Sequence, residues 1–94
     1  MFQPIQQPKF ALGRTVITAT AAGELPPEEV QQALARHVAG DWGEVDTHDR
    51  AANEHALVNG ERLLSVYQTR AGTRFFIITE WDRQYTTVML PQEY

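Results

Sequence analysis

The three histidines of this chain, His37, His48 and His55, fall within nineteen consecutive positions, "HVAGDWGEVDTHDRAANEH", alongside Asp41, Glu44, Asp46, Asp49, Glu54 and Trp42. Imidazoles beside carboxylates are the raw material of two chemistries, divalent-metal ligation and proton transfer in acid–base catalysis. Spacing argues against the first. His48 and His55 are seven residues apart, which on a helix separates them by about 10 Å along the axis. No H-E-x-x-H or comparable ligand motif occurs. His37 lies in an apolar helical stripe, where a hydrogen-bonded structural histidine is the ordinary outcome. Neither a metal site nor a cofactor is expected.

Acid–base chemistry on RNA is the sharper alternative. A helical section followed by an antiparallel sheet carrying arginines is the layout of small barnase-like ribonucleases. His37 or His55 with Glu80 would supply base and acid, and Arg62, Arg70 and Arg74 the cations for phosphate. Against this, those arginines flank strands and hairpin ends, where charge keeps edges soluble. There is no nucleophile-elbow motif, no glycine-rich phosphate loop and a single lysine. The leading expectation is therefore a non-enzymatic protein that acts by contact, with no catalytic residue assigned.

Charge supports that order. Of the 12 acids and 8 bases that give the net charge of −4, nine acids and two bases lie between Glu24 and Glu61, a local balance of −7. The remaining three acids and six bases give +3. An acidic middle repels a polyanion, and no helix reads as basic, so nucleic acid is not the expected partner. At 94 residues, with 43% hydrophobic and 21% charged positions, the chain reads as one globular domain, 1–94, with room for a modest core. It has no cysteine, which fits a reducing compartment. The start, "MFQPIQQPKF", lacks a signal-peptide pattern, and no run is long enough to span a bilayer. A cytoplasmic protein is expected.

The elements that must position these residues read as follows. Residues 1–12 are an extended N-terminal arm with apolar anchors Phe2, Ile5, Phe10 and Leu12. Gly13 to Thr20 is rich in β-branched residues and reads as a strand. "AAGELPPEEV" is a turn and helix start, with Pro27 suited to the first helical position and Glu28 and Glu29 to the positive end of the helix dipole. The helix runs from Pro27 to Ala39 and stops at Gly40, and its stripe is Val30, Ala33, Leu34, His37 and Val38. Asp46 or Thr47 caps a second helix, with Asp49 in its first turn, that Asn59-Gly60 closes. Strands follow at Arg62 to Thr69, Arg74 to Trp81 and Tyr85 to Leu90, joined by the hairpin-length connections "RAG" and "DRQ". The fold expected is α+β, in the order β-α-α-β-β-β, with two helices on one face of a mainly antiparallel four-stranded sheet.

Two helices about 10 Å wide roof a four-stranded sheet only once. Period-2 alternation gives two apolar sets of strand side chains. The aromatic-rich set, Tyr67, Phe75, Ile77, Trp81, Tyr85 and Met89, is expected on the uncovered face, because tyrosine and tryptophan tolerate partial exposure. Three covers remain open: the arm of the same chain, a second copy forming a homodimer, or another protein. Gly40-Asp41-Trp42-Gly43 reads as a helix stop and corner plug. A second use of that corner is also open, with Trp42, His48, Asp49 and Asn53 forming a polar recognition edge.

"ALARHVAGDWGEVDTHDRAANEHAL", "RLLSVYQT" and "IITEWDRQYTTVMLPQEY" together resemble a family of small plasmid-related proteins carried on bacterial plasmids and integrative elements. The resemblance covers roughly Ala33 to Tyr94 and rests on G-D-W-G, on Asp49 to Asn53 and on the T-T-x-x-L-P-x-E-Y ending. Phe76 stands where that pattern places tryptophan. The likeness implies a setting, mobile DNA, rather than a mechanism. An accessory protein there acts by binding, in counter-defence, regulation or maintenance of the element.

Overall fold

The computed structural model describes residues 7–94; Phe2 and Ile5, two anchors of the expected arm, lie outside the described residues. The elements are β1 (Arg14–Ile17), α1 (Ala19–Glu24), α2 (Pro27–Val38), α3 (Thr47–Asn59), β2 (Leu63–Gln68), β3 (Arg74–Thr79) and β4 (Tyr85–Met89), followed by a 3-10 turn, Pro91–Glu93. This is the expected α+β class with one additional helix. Where the sequence reads as the end of a strand and a turn, Thr18 instead caps α1, its hydroxyl accepting from the Ala21 amide. Six residues are too few to leave a periodic signature.

The four strands form one sheet in the order β1-β4-β3-β2. β2, β3 and β4 are antiparallel neighbours, and β1 returns beside β4 in parallel. α2 starts and stops where its sequence says: Pro27 opens it, Glu28 and Glu29 occupy its first turn, and Gly40 takes a left-handed φ of 84° just past its end. It buries Val30, Ala33, Leu34 and His37 on one face of the sheet, where Ala21 of α1 and Leu25 just past its end join it against Tyr67, Phe75, Ile77, Val88 and Leu90. The arm crosses the same face. The Lys9 amide donates to the Val38 carbonyl, Phe10 stacks on Trp42, and the Leu12 carbonyl accepts from Thr86.

Register settles which side chains share that roofed face, and it corrects the expectation. β2 pairs with β3 so that Ser65 faces Ile77 and Tyr67 faces Phe75. β3 pairs with β4 so that Ile77 faces Val88 and Thr79 faces Thr86. The β3–β4 loop spans Trp81 to Gln84, with the Glu80 amide donating to Tyr85 O, one residue longer than the three-residue loop "DRQ". An odd shift of one residue sends an entire strand to the opposite face. The shift parts Tyr67, Phe75 and Ile77 from Tyr85 and Met89; the first three lie under the helices, at most 2% exposed, rather than on the uncovered face. Tyr85 and Met89 project from the reverse side with Phe76, and Trp81 is exposed in the loop. The extra loop residue is accommodated by Arg83, whose φ of 61° is left-handed. Its guanidinium donates to the carbonyls of Glu80, Glu61 and Ala56, thereby capping the end of α3.

The outer edge of β2 is closed by its own chain. The Asn53 amide NH₂ donates to the Leu64 carbonyl at 2.7 Å, and the Leu64 amide donates to Asn53 Oδ1 at 3.1 Å. Two residues along, the Val66 amide donates to the Trp42 carbonyl and the Glu44 amide to the Val66 carbonyl. Between them sits Gly43, with φ 74°; a Cβ there would overlap the Val66 carbonyl and the Tyr67 ring. α3 is thus held by a side chain acting as a piece of strand, with small Ala56 letting it approach. Trp42, Val45, Ala56, Leu63 and Val66 form a second core cluster around this edge. Replacing Asn53 with alanine leaves both Leu64 groups unpaired in a part-buried position. The expected loss is about 2–3 kcal/mol in urea unfolding at pH 7; a loss below about 0.5 kcal/mol would show that water replaces the amide freely.

Candidate functional site

The histidine-rich corner divides into an interior and a surface. His37 is 0% exposed. Its Nδ1 lies 2.6 Å from Ser65 Oγ and its Nε2 2.9 Å from Thr79 Oγ1, which is 2.7 Å from Thr86 Oγ1. Thr86 donates to the Leu12 carbonyl, and since a carbonyl only accepts, the protons of the whole chain are ordered. Thr86 spends its single proton on Leu12, so Thr79 must donate to Thr86. Thr79 then accepts from His37, which fixes the Nε2–H tautomer, and Ser65 donates to the bare Nδ1. Beside it, Trp42 is 3% exposed, packs edge-on to His37, and donates its indole N–H to Glu54.

The polar recognition edge of Trp42, His48, Asp49 and Asn53 does not assemble as a surface. Trp42 and Asn53 are spent inside the fold, whereas His48 is exposed and Asp49 sits in the first turn of α3, where its amide donates to the Asp46 cap. The reading of Gly40-Asp41-Trp42-Gly43 as a helix stop and plug describes these contacts. Tyr67 donates its hydroxyl to the Asp41 carbonyl, and Arg36 pairs with the Asp41 carboxylate at 2.7 Å while lying over the Tyr67 ring. Arg36 holds the Asp41 carboxyl below its ordinary range, by hydrogen bonding first.

The residues of the ribonuclease alternative are dispersed. His37 is enclosed, His55 pairs with Glu61 at the surface, and Glu80 pairs with Arg62. Arg74 lies at the opposite end of the β2–β3 ladder from Arg62, about 20 Å away, and Arg70 lies in the hairpin between those strands. Among the described residues, no group of three histidine, aspartate or glutamate side chains could hold a metal ion.

The open part of the molecule is the β1 side of the sheet, which the aromatic pattern did not single out. All four residues of β1 are exposed. Arg14 and Thr18 donate their amides inward, to Gln84 and Val88 carbonyls; alternation in a parallel ladder then turns the backbone groups of Thr15 and Ile17 outward. Val16 is 38% and Ile17 41% exposed. On the roofed face the edge borders an open groove of about 380 Å³ lined by Ile17, Ala22, Leu25, Val30, Leu34 and Val88 among others. On the reverse face it borders Tyr85, 51% exposed, and Met89. One signal in the sequence did point here: a strand isolated from the other three by all the helices has no hairpin partner and falls naturally at an edge.

Compared with protein-family models, curated proteins and solved structures, the chain has no match.

Burial, and secondarily the positive charge of Arg83, push the His37 imidazole down from 6.5 to about 4. The unfolded chain therefore binds a proton between those values that the folded chain refuses. The corresponding stability is complete above about pH 6.5 and is lost as pH falls towards 4, amounting to about 3 kcal/mol. Nitrogen NMR should show His37 neutral with the proton on Nε2 at about pH 5, while urea midpoints decline across this window. A ring already protonated at that pH, or one protonated on Nδ1 alone, would contradict the network.

Proposed function

We propose that this protein works by protein contact, as a non-enzymatic accessory protein of a mobile genetic element in the cytoplasm, and that β1 and its flanks are the contact surface. The observation that carries the reading is the inequality of the two sheet edges: Leu64 and Val66 have their outward backbone groups satisfied within the chain, whereas β1 is exposed along its length beside an apolar groove. Strand addition to such an edge is a recurring mode of recognition, in which main-chain hydrogen bonds give affinity and pockets for alternate side chains give specificity. The side chains that would make an enzyme of this fold, His37 above all, are engaged in holding it together.

Further support comes from charge, and the setting is the one that the resemblance of Ala33 to Tyr94 to plasmid-related proteins implies. A net charge of −4 disfavours a polyanionic partner. Among the described residues, no helix is long and apolar enough to cross a membrane. Counter-defence and regulation of the element are both tasks that a contact module performs.

A photo-cross-linking amino acid in place of Tyr85, beside Arg14 in the sheet, should give discrete protein adducts in living cells. The same probe at Val58, 85% exposed on α3, should give few. Equal labelling from the two positions, or none from position 85, would refute β1 as the contact surface.

A further inference from the structure

We propose that two copies of this chain pair through β1, antiparallel about a two-fold axis at Val16, joining their sheets into one of eight strands. The inference rests on the contact reading above and names its partner: a second copy of this chain.

Self-complementarity of the strand carries it. Residues opposed across an antiparallel pair share a face, so the two faces of the sheets stay continuous only if odd positions meet odd and even meet even. An axis at Val16 meets that condition. Val16 then lies against Val16, Thr15 against Ile17, and Arg14 against Thr18 of the second copy. The backbone groups that β1 turns outward are those of Thr15 and Ile17, the two positions that this register opposes as hydrogen-bonded pairs. An axis at Thr15 also preserves the faces, but it opposes Ile17 to Gly13, whose φ of 65° takes it out of the extended conformation. Only the Val16 axis keeps the hydrogen-bonded positions within the strand.

Side chains agree with the backbone on both faces. Arg14 makes no ion pair among the described residues. Glu93 is fixed at the far end of β1, accepting from the Thr18 hydroxyl at 2.7 Å and the Leu90 amide at 2.9 Å. Those two donors hold its carboxyl below the ordinary range, the Leu90 amide most. Opposing Arg14 to Thr18 of the second copy brings an unpaired guanidinium to this carboxylate, twice by symmetry. On the roofed face, Ile17 of the second copy falls opposite Thr15, at the mouth of the groove lined by Leu25, Val30 and Leu34. α1 packs over β4, and all four residues of β1 remain exposed. With β2 closed by Asn53 and the Gly43 loop, β1 is the edge left open among the described residues, so pairing ends at a closed dimer instead of continuing as a filament.

The chain contains no cysteine, so single-thiol variants report the register directly. Val16 and its symmetry mate form a non-hydrogen-bonded pair with Cα atoms about 4.5 Å apart, within reach of a disulfide. The two Thr15 residues are two positions out of register, about 8 Å apart. The native protein should sediment at twice its 10.7 kDa chain mass at micromolar concentration. Val16→Cys should link into a covalent dimer under mild oxidation, at least about tenfold faster than Thr15→Cys. Arg14→Glu should raise the dimer dissociation constant about tenfold at low salt and less at high salt. A native monomer at all concentrations, or Thr15→Cys linking as fast as Val16→Cys, overturns the proposal. If the native protein is monomeric while the position-85 probe still joins a different protein, self-pairing falls and the contact reading stands; if the probe also fails, both fall.

Discussion

Backbone N–H and C=O groups along a sheet edge must be satisfied by protein or by water, and this chain meets that constraint differently at its two edges. On β2 the work is done by a side chain and a loop. Asn53 presents a donor and an acceptor to Leu64 as a neighbouring strand would, and the Trp42–Glu44 segment does the same for Val66. Much else follows from those contacts. They fix where α3 lies, they require glycine at position 43, and they place Trp42 against His37. β1, short and at the opposite edge, has no such cover among the described residues.

The polar chain through the core is the second constraint. Ser65, His37, Thr79, Thr86 and the Leu12 carbonyl form a line of hydrogen bonds that joins β2, α2, β3, β4 and the arm. Because its far end is a carbonyl, each hydroxyl has one proton orientation, and the neutral imidazole has one tautomer. Such a network disfavours alternative packings, since a shifted register would strand buried donors and acceptors. Arg83 complements it from outside: in a left-handed turn position, its guanidinium ties the β3–β4 loop to the Ala56 carbonyl in the last turn of α3 and to the Glu61 carbonyl just beyond it, and rests on Phe10.

Local chemistry made the elements legible in the sequence. Pro27 and the following glutamates, Gly40, the Asp46 cap and Gly60 each mark a boundary found in the fold, and of the periodic stripe Val30, Ala33, Leu34, His37 and Val38 all are buried in α2 but the half-buried Val38. What failed was long-range parity. A hairpin loop one residue longer than "DRQ" suggests inverts β4 relative to β3 and so separates Tyr67, Phe75 and Ile77 from Tyr85 and Met89; the helices cover the first three. No residue type in that loop announces its length; Arg83 in a left-handed conformation is the device that sets it. An amide on a short polar helix looks available for recognition, and only the position of β2 shows what Asn53 binds. α1 escaped notice because six residues carry no period.

The unequal edges are the claim on which the functional account stands, and amide hydrogen exchange resolved by residue measures them directly. In dilute solution, below the range of self-association, the Leu64 and Val66 amides should be strongly protected and those of Thr15 and Ile17 should exchange rapidly; the latter pair should gain protection as concentration rises. Rapid exchange at Leu64 and Val66, or protection of Thr15 and Ile17 that is already complete in the isolated chain, would contradict it.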